Sequence, residues 1–174
     1  MTARAEVTPR GPIHRLVFGT PQSIAGTVYG TIVVMGAITA GAHADANPWR
    51  LGGIVAGTVV VLWIAHVYSH GLGESIALGR RLDRPEFLSV ARRELAIPLA
   101  AVAPVAALAL GGLGVVRESR SLWLAMLIGL ATLAVQGFRY AGLEGLGRMA
   151  TAASVALNLT FGLVIVALKV LVGH

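Results

Sequence analysis

The stretch LGGIVAGTVVVLWIAHVYSHGLGESIAL, residues 51–78, decides the fold, because Glu74 is its only formally charged side chain. About 20 apolar residues in a helix cross the ~30 Å hydrocarbon core of a bilayer. Lipid offers the backbone no hydrogen-bond partner, so such a segment satisfies its own peptide groups by forming an α-helix. The stretch therefore predicts a transmembrane helix, and its length predicts that its last two turns project from the membrane.

The composition of the whole chain is typical of a membrane protein. Of its 174 residues, 56% are hydrophobic and 13% are charged, and the mean hydropathy is +0.77. Soluble domains are about 25% charged, so the polar side chains here are too few to cover a surface that faces water. The chain has no cysteine, which excludes disulfides and thiolate metal sites.

Five apolar stretches, separated by short polar ones, predict an all-α integral membrane protein with five transmembrane helices in a single domain. No nucleophilic triad, phosphate-binding loop or pair of carboxylates accompanies them, so we do not expect an enzyme. The five predicted spans cover residues of about 23–42, 51–78, 95–116, 122–140 and 150–172.

Two segments between these spans allow more than one interpretation. Residues 42–44, Ala-His-Ala, resemble the site at which a signal peptide is cleaved. The preceding stretch is longer than the apolar part of an ordinary signal peptide, so we expect an uncleaved first helix. The longest connector, about 79–94, is predicted to be solvated and cytoplasmic, with its arginines near anionic lipid headgroups. Within it, Pro85 is expected to break the segment that precedes it, and Ser89 to cap a short stretch that contains Arg93 and Glu94.

The arginines of the chain predict its orientation. The net charge of +6 comes from basic residues placed between apolar runs, which indicates topology determinants and not nucleic-acid binding. Cytoplasmic loops carry the excess of basic residues, so we expect a cytoplasmic N-terminus and an outside C-terminus in a cell membrane, such as a bacterial inner membrane. The cytoplasmic set is Arg4, Arg10, Arg15, Arg80, Arg81, Arg84, Arg92, Arg93, Arg139 and Arg148; the outer set is Arg50, Arg117, Arg120 and Lys169.

Three titratable side chains share one face of the second span, because His66, His70 and Glu74 follow at intervals of four residues. An ionisable group inside a membrane costs about 2.5–3.5 kcal/mol on insertion scales, so such groups usually face protein or water. Imidazole and carboxylate bind divalent transition metals, and imidazole also exchanges protons near neutral pH. The stripe therefore predicts a site for Fe²⁺, Mn²⁺ or Zn²⁺, with Tyr68 and Ser69 on the transport path.

Two other interpretations of the stripe stay open. The same side chains are suited to conducting protons without a metal. Alternatively, the histidines are polar contacts between helices and Glu74 pairs with Arg80 or Arg81, as in an accessory or structural membrane protein. Small residues are expected to allow close helix packing within a protomer or across a dimer. The small residues that we assign to this role are Gly26, Gly30 and Gly73.

The layout of the spans and two short motifs resemble the vacuolar iron transporter family. Residues 69–75, SHGLGES, keep the serine, the second glycine and the glutamate of the family's SMxxGEY stretch. Residues 26–30, GTVYG, keep both glycines of its GxxDG motif, and the turn GLGR at 145–148 is also similar. The chain departs from the family at Tyr29, where the family has aspartate, at His70, where it has methionine, and at His66, where it has an acidic residue.

The resemblance implies a homodimer with a translocation path between the first two helices of each protomer, which places Tyr29 on that path. It also implies export of Fe²⁺ or Mn²⁺ from the cytoplasm against protons. We therefore expect a divalent-metal transporter that has no certain resident cofactor. Its expected partners are the lipid bilayer and a second copy of the chain.

Overall fold

The computed structural model describes residues 20–42 and 47–172, and every regular element in these residues is a helix. Four of the helices are long and apolar enough to span a membrane. The number is five if the helices Arg84–Arg93 and Ala96–Gly112, which are joined by a bend, count together as one span. The prediction of an all-helical chain with several membrane-type helices is thereby confirmed. The helices are α1 Pro21–Gly41, α2 Pro48–Leu78, α3 Arg84–Arg93, α4 Ala96–Gly112, α5 Glu118–Glu144 and α6 Arg148–Val172.

Most of these helices extend beyond the apolar stretches from which they were predicted. The helix α2 begins three residues earlier, behind Asn47, whose side chain accepts a hydrogen bond of 2.8 Å from the Trp49 amide. The helix α5 continues to Gly145, which ends it with a φ of 67°. Hydropathy identifies only the apolar part of a helix, which is the part suited to the hydrocarbon core. The backbone hydrogen bonds of the helix continue through its polar turns until a capping residue ends the helix. The helix α4 is the exception, because it ends at Gly112, before the predicted limit.

The helix α1 lies at the centre of the bundle and packs against α2, α4, α5 and α6. On one flank α2 packs against α1 and α4, and on the other α6 packs against α1 and α5. The interior between them is mostly apolar, since burying polar groups costs free energy, and its few buried polar side chains are Thr31, Ser121 and Gln136. Its fully buried large side chains include Met35, Leu51, Ile97, Met126 and Leu133.

Contacts between helices assign the charged residues to two ends of the bundle. At one end, a Cβ on Gly111 of α4 would touch Ser121 of α5, and the Lys169 ammonium of α6 lies 4.8 Å from the centre of the Trp123 ring. The other end, where α2 ends and α1 and α4 begin, is called the basic end below. The described arginines of the basic end are Arg80, Arg81, Arg84, Arg92, Arg93, Arg139 and Arg148, whereas Arg4, Arg10 and Arg15 lie outside the described residues.

The connector between α2 and α4 contains the helix α3, and most of its residues are exposed, with Val90 buried. Asp83 caps α3 by accepting the Glu86 amide at 2.8 Å, and the Glu86 carboxylate accepts the Asp83 amide at 2.9 Å. Pro85 lies in the first turn of α3, where the missing N–H costs nothing, and the preceding helix α2 has ended at Leu78, which agrees with a break before Pro85. Ser89 lies inside α3 and is not its cap. A bend of 46° joins α3 to α4.

Arg80 holds the start of α3 through Glu86. Its guanidinium donates two hydrogen bonds of 2.7 and 2.9 Å to the Glu86 carboxylate. These bonds, together with the one from the Asp83 amide, lower the pKa of Glu86 from 4.5 to about 2. Because the folded-state pKa is below the ordinary one, the pair contributes fully above pH 4.5 and loses its contribution as the pH falls through about 2.

A pH dependence of stability follows from this pair. We expect the free energy of unfolding of the wild type to exceed that of Glu86→Gln by a constant amount above pH 4.5. The difference should shrink between pH 4.5 and about 2, as the wild-type carboxylate takes up its proton. Chemical unfolding of both proteins in detergent micelles across this range measures it. A difference that does not vary with pH would show that the pair does not stabilise the fold.

Candidate functional site

The predicted stripe of α2 lies at the basic end of the bundle. His70 and Glu74 line a cleft together with Gln22, the second residue of α1, and with Glu94, two residues before α4 begins. His70 and Glu74 therefore lie level with the N-terminal ends of α1 and α4. His66 lies one turn further into the bundle, where its ring contacts Tyr29, about two turns inside α1.

Two ion pairs join this stripe to the segment where α3 bends into α4. The Nδ1 atom of His70 lies 2.8 Å from Oε1 of Glu94, and the guanidinium of Arg93 donates to the Glu74 carboxylate. The partners are 24 and 19 positions apart in the chain. The Glu94 side chain is only 17% exposed, so the carboxylate is partly shielded from water. The contact between His70 and Glu94 is ionic when the imidazole is protonated.

These four side chains line a cleft of about 210 Å³ that opens at the basic end. A space of this size admits a small cation together with several of its water molecules. The cleft combines one imidazole and two carboxylates, which are donors for divalent cations, with one guanidinium that neutralises a carboxylate. Its lining residues are Gln22, His70, Glu74, Val90, Arg93 and Glu94.

A row of proton-exchanging side chains leads from this cleft into the bundle. The ring centres of His70 and His66 are 5.8 Å apart, and those of His66 and Tyr29 are 4.8 Å apart. The Ser69 hydroxyl donates to the His66 carbonyl at 3.1 Å, a bond within α2, and Tyr68 is 67% exposed. The structure therefore brings Tyr29, His66 and His70 together, whereas Ser69 and Tyr68 do not line the cleft.

Two of the three predicted packing glycines lie at a helix contact within the protomer. A Cβ on Gly26 would lie 3.0 Å from the Ala96 Cβ, and a Cβ on Gly30 would lie 2.6 Å from the Ile97 carbonyl oxygen. Both glycines therefore face α4, which leaves no room for a dimer contact at the same positions. A Cβ on Gly73 would meet no atom within 4 Å, so this glycine is not at a helix contact in the described protomer.

The three predicted metal ligands do not form a ready metal site. Within the described residues, no three His, Cys, Asp or Glu side chains are grouped closely enough to hold a metal ion. His66 and Glu74 are two turns apart, about 12 Å along the axis of α2. Glu74 is in addition held by Arg93. The triad of His66, His70 and Glu74 stays a prediction, and any metal site would require Glu74 to exchange its partner.

Sequence reasoning missed Glu94 and Arg93, which are the partners of the stripe. The sequence did contain one signal for Glu94, which stands just before the apolar span of α4. A carboxylate so close to the hydrocarbon usually needs a polar partner. The spacing of residues within α2 could not identify these partners, since helical periodicity shows only which residues of one helix are neighbours. The partner became visible only when α3 and α4 were placed beside α2.

Comparison of the chain with family models, with curated proteins and with solved structures finds no match in any of the three. The resemblance to the vacuolar iron transporter family therefore stays a prediction.

Proposed function

We propose that the bundle is a multi-pass protein of a cell membrane, with its basic end in the cytoplasm. Support comes from α6, where Leu157, Phe161 and Leu168 are half exposed or more, a surface suited to lipid and not to water. Trp49 and Trp123 lie exposed at the opposite end, where aromatic side chains favour the membrane interface. The excess of arginines at the basic end supports its cytoplasmic placement.

Within that membrane, we propose transport of a divalent metal cation, Fe²⁺, Mn²⁺ or Zn²⁺, out of the cytoplasm with proton coupling. The observation that carries this proposal is the cleft that His70, Glu74 and Glu94 line beside Arg93. The three side chains are not close enough to share an ion as they stand, so binding would require Glu74 to leave Arg93. Nitrogen and carboxylate donors of this kind suit these three ions. The cleft opens toward the basic end, so its access from the cytoplasm follows from the proposed orientation.

The two ion pairs explain how cation binding would be coupled to protons. A metal ion binds the neutral imidazole, so its binding would release a proton from any His70 imidazole that was protonated in the pair with Glu94. The ion also competes with Arg93 for Glu74, and the guanidinium then moves into the surrounding water. His66 and Tyr29, next along the row, are placed to take up or pass on the released proton.

Proton conduction without a metal is the second candidate. The observation that favours it is the row of Glu94, His70, His66 and Tyr29, because each of these groups binds or releases protons. This row needs no rearrangement of Arg93. An accessory role, in which the ion pairs only hold α2 against α3, is the third outcome that an experiment must separate.

Flux measurements in proteoliposomes that contain a pH-sensitive dye test the proposal. We expect Fe²⁺, Mn²⁺ or Zn²⁺ to cross with a proton signal, and His70→Ala to lower the flux about tenfold or more, since a bond to a charged group is worth about 1.5–3 kcal/mol. Leu72→Ala, a truncation on the exposed side of α2, should leave the flux unchanged. Proton movement without metal would select the second candidate, and intact protein with no flux would select the accessory role.

A further inference from the structure

The helix α3 presents one side to α2 and another side away from the bundle. Val90 is 1% exposed on the side that packs against α2. Phe87, on the neighbouring position of the same turn, is 45% exposed and has one edge of its ring against Gly71 of α2. Leu88, in contrast, is 47% exposed on the side opposite Val90, which faces away from the bundle. Leu95, in the bend that leads to α4, is 40% exposed and continues this apolar side. A short helix with an outward apolar side beside membrane spans is typical of an element that lies in the membrane interface.

Arginines without carboxylate partners border this apolar side. Arg84, Leu88 and Arg92 follow at intervals of four residues and therefore form one row along α3. Arg81 lies just before the helix. None of these three arginines makes a salt bridge with a carboxylate of residues 20–42 and 47–172, whereas the neighbouring Arg80 and Arg93 do. Three unpaired cations beside an apolar strip are complementary to lipids that carry a negative headgroup above apolar chains.

We propose that α3 binds the anionic phospholipids of the leaflet at the basic end, with Leu88 and Leu95 among the acyl chains and Arg81, Arg84 and Arg92 on the phosphates. The occupant is lipid and not a partner protein, because the apolar strip continues through Leu95 into α4, a membrane-type segment. The bend of 46° sets α3 at an angle to that segment, as an interfacial helix requires.

Lipid bound in this way controls the cleft, an inference that rests on the proposed function. Arg93 and Glu94 lie at the inner end of α3, where they hold Glu74 and His70. The Trp63 indole also donates to the Ala91 carbonyl at 3.3 Å, so α3 is tied to α2 over this same turn. Lipid bound to α3 would therefore act on the same turn that holds Arg93 and Glu94 against the stripe.

The position of α3 is tested first with spin labels in nanodiscs. The chain has no cysteine, so Leu88→Cys and Ser89→Cys each provide a single labelling site. We expect the label at 88 to be relaxed by oxygen, which dissolves in lipid, and the label at 89, on the polar side, by an aqueous nickel chelate. A label at 88 that the nickel chelate reaches as readily as the label at 89 would overturn the proposal.

The charge requirement is tested with two matched triple variants. Arg81→Gln, Arg84→Gln and Arg92→Gln are combined in one protein, and Arg50→Gln, Arg117→Gln and Arg120→Gln, at the opposite end, are combined in the control. Thermal unfolding in detergent is followed as phosphatidylglycerol or phosphatidylcholine is added. We expect phosphatidylglycerol to stabilise the wild type and the control triple. We expect its binding to the triple of Arg81, Arg84 and Arg92 to be about 10- to 100-fold weaker than its binding to the wild type. Equal binding by both triples would overturn the proposal.

The effect on the cleft is measured as metal flux in vesicles with and without phosphatidylglycerol. We expect phosphatidylglycerol to raise the flux of the wild type but not of the Arg81, Arg84 and Arg92 triple. Flux that does not respond to phosphatidylglycerol would overturn the control of the cleft. A wild type without flux in either lipid would overturn the proposed transport, whereas the label and lipid-binding measurements would still decide whether α3 binds anionic lipid.

Discussion

Replacing Gly30 by alanine is expected to lower the free energy of unfolding by about 1–3 kcal/mol, the usual cost of overpacking a close contact. A Cβ at this position would lie 2.6 Å from the Ile97 carbonyl oxygen and 3.1 Å from the Ile97 Cα and the Ala100 Cβ. The first two obstacles are backbone atoms of α4, which no rotamer change can remove. The helices α1 and α4 would have to separate, and α1 is the helix on which the rest of the bundle packs.

Gly36→Ala is the matched control on the same helix. A Cβ on Gly36 would meet no atom within 4 Å, so the substitution introduces no clash. Alanine is the better helix former by up to about 1 kcal/mol, so Gly36→Ala should leave the stability unchanged or raise it. Unfolding of both variants by sodium dodecyl sulfate in mixed micelles, followed by circular dichroism, measures the two effects. Similar stability in the two variants would show that α1 does not pack against α4 through Gly30.

The second large effect is expected at Glu94, in the cleft on which the proposed function rests. Glu94→Gln keeps the size of the side chain but removes the charge that lies 2.8 Å from the His70 imidazole. Losing a charged hydrogen bond costs about 1.5–3 kcal/mol, so we expect metal flux to fall about 10- to 100-fold. The effect should be non-additive with His70→Ala, because the two residues act as one pair. The flux assay in proteoliposomes measures the wild type, the two single variants and the double variant.

Glu144→Gln is the matched control for this prediction. Glu144 is an exposed carboxylate at the same end of the bundle and does not line the cleft. Its loss should therefore leave the flux unchanged. Equal effects of Glu94→Gln and Glu144→Gln would point to a general effect of charge and not to the cleft. Loss of flux in His66→Ala, with full flux in Glu94→Gln, would instead favour the triad predicted from the sequence.

The sequence by itself determined the class of protein. Long apolar stretches with few charges require helices, because a backbone in lipid must satisfy its own hydrogen bonds. The approximate positions of the spans follow from the same argument, as does the division of the arginines between two sets of loops. The ends of the helices were less predictable, since caps such as Asn47 and Gly145 lie outside the apolar runs. Pro85 was predicted to break the segment before it, and α2 does end at Leu78, but the sequence did not show that the same proline would lie in the first turn of α3.

Only the tertiary structure decided what the stripe of α2 contacts. The spacing of His66, His70 and Glu74 predicts one helical face, but a helix face does not specify its neighbours. Glu94 and Arg93 reach that face because α3 folds back along α2 and then bends by 46° into α4. Such pairs form between residues that are far apart in the chain, so their geometry depends on how whole helices pack. Local periodicity contains no information about that packing, which is why the cleft could not be derived from the sequence.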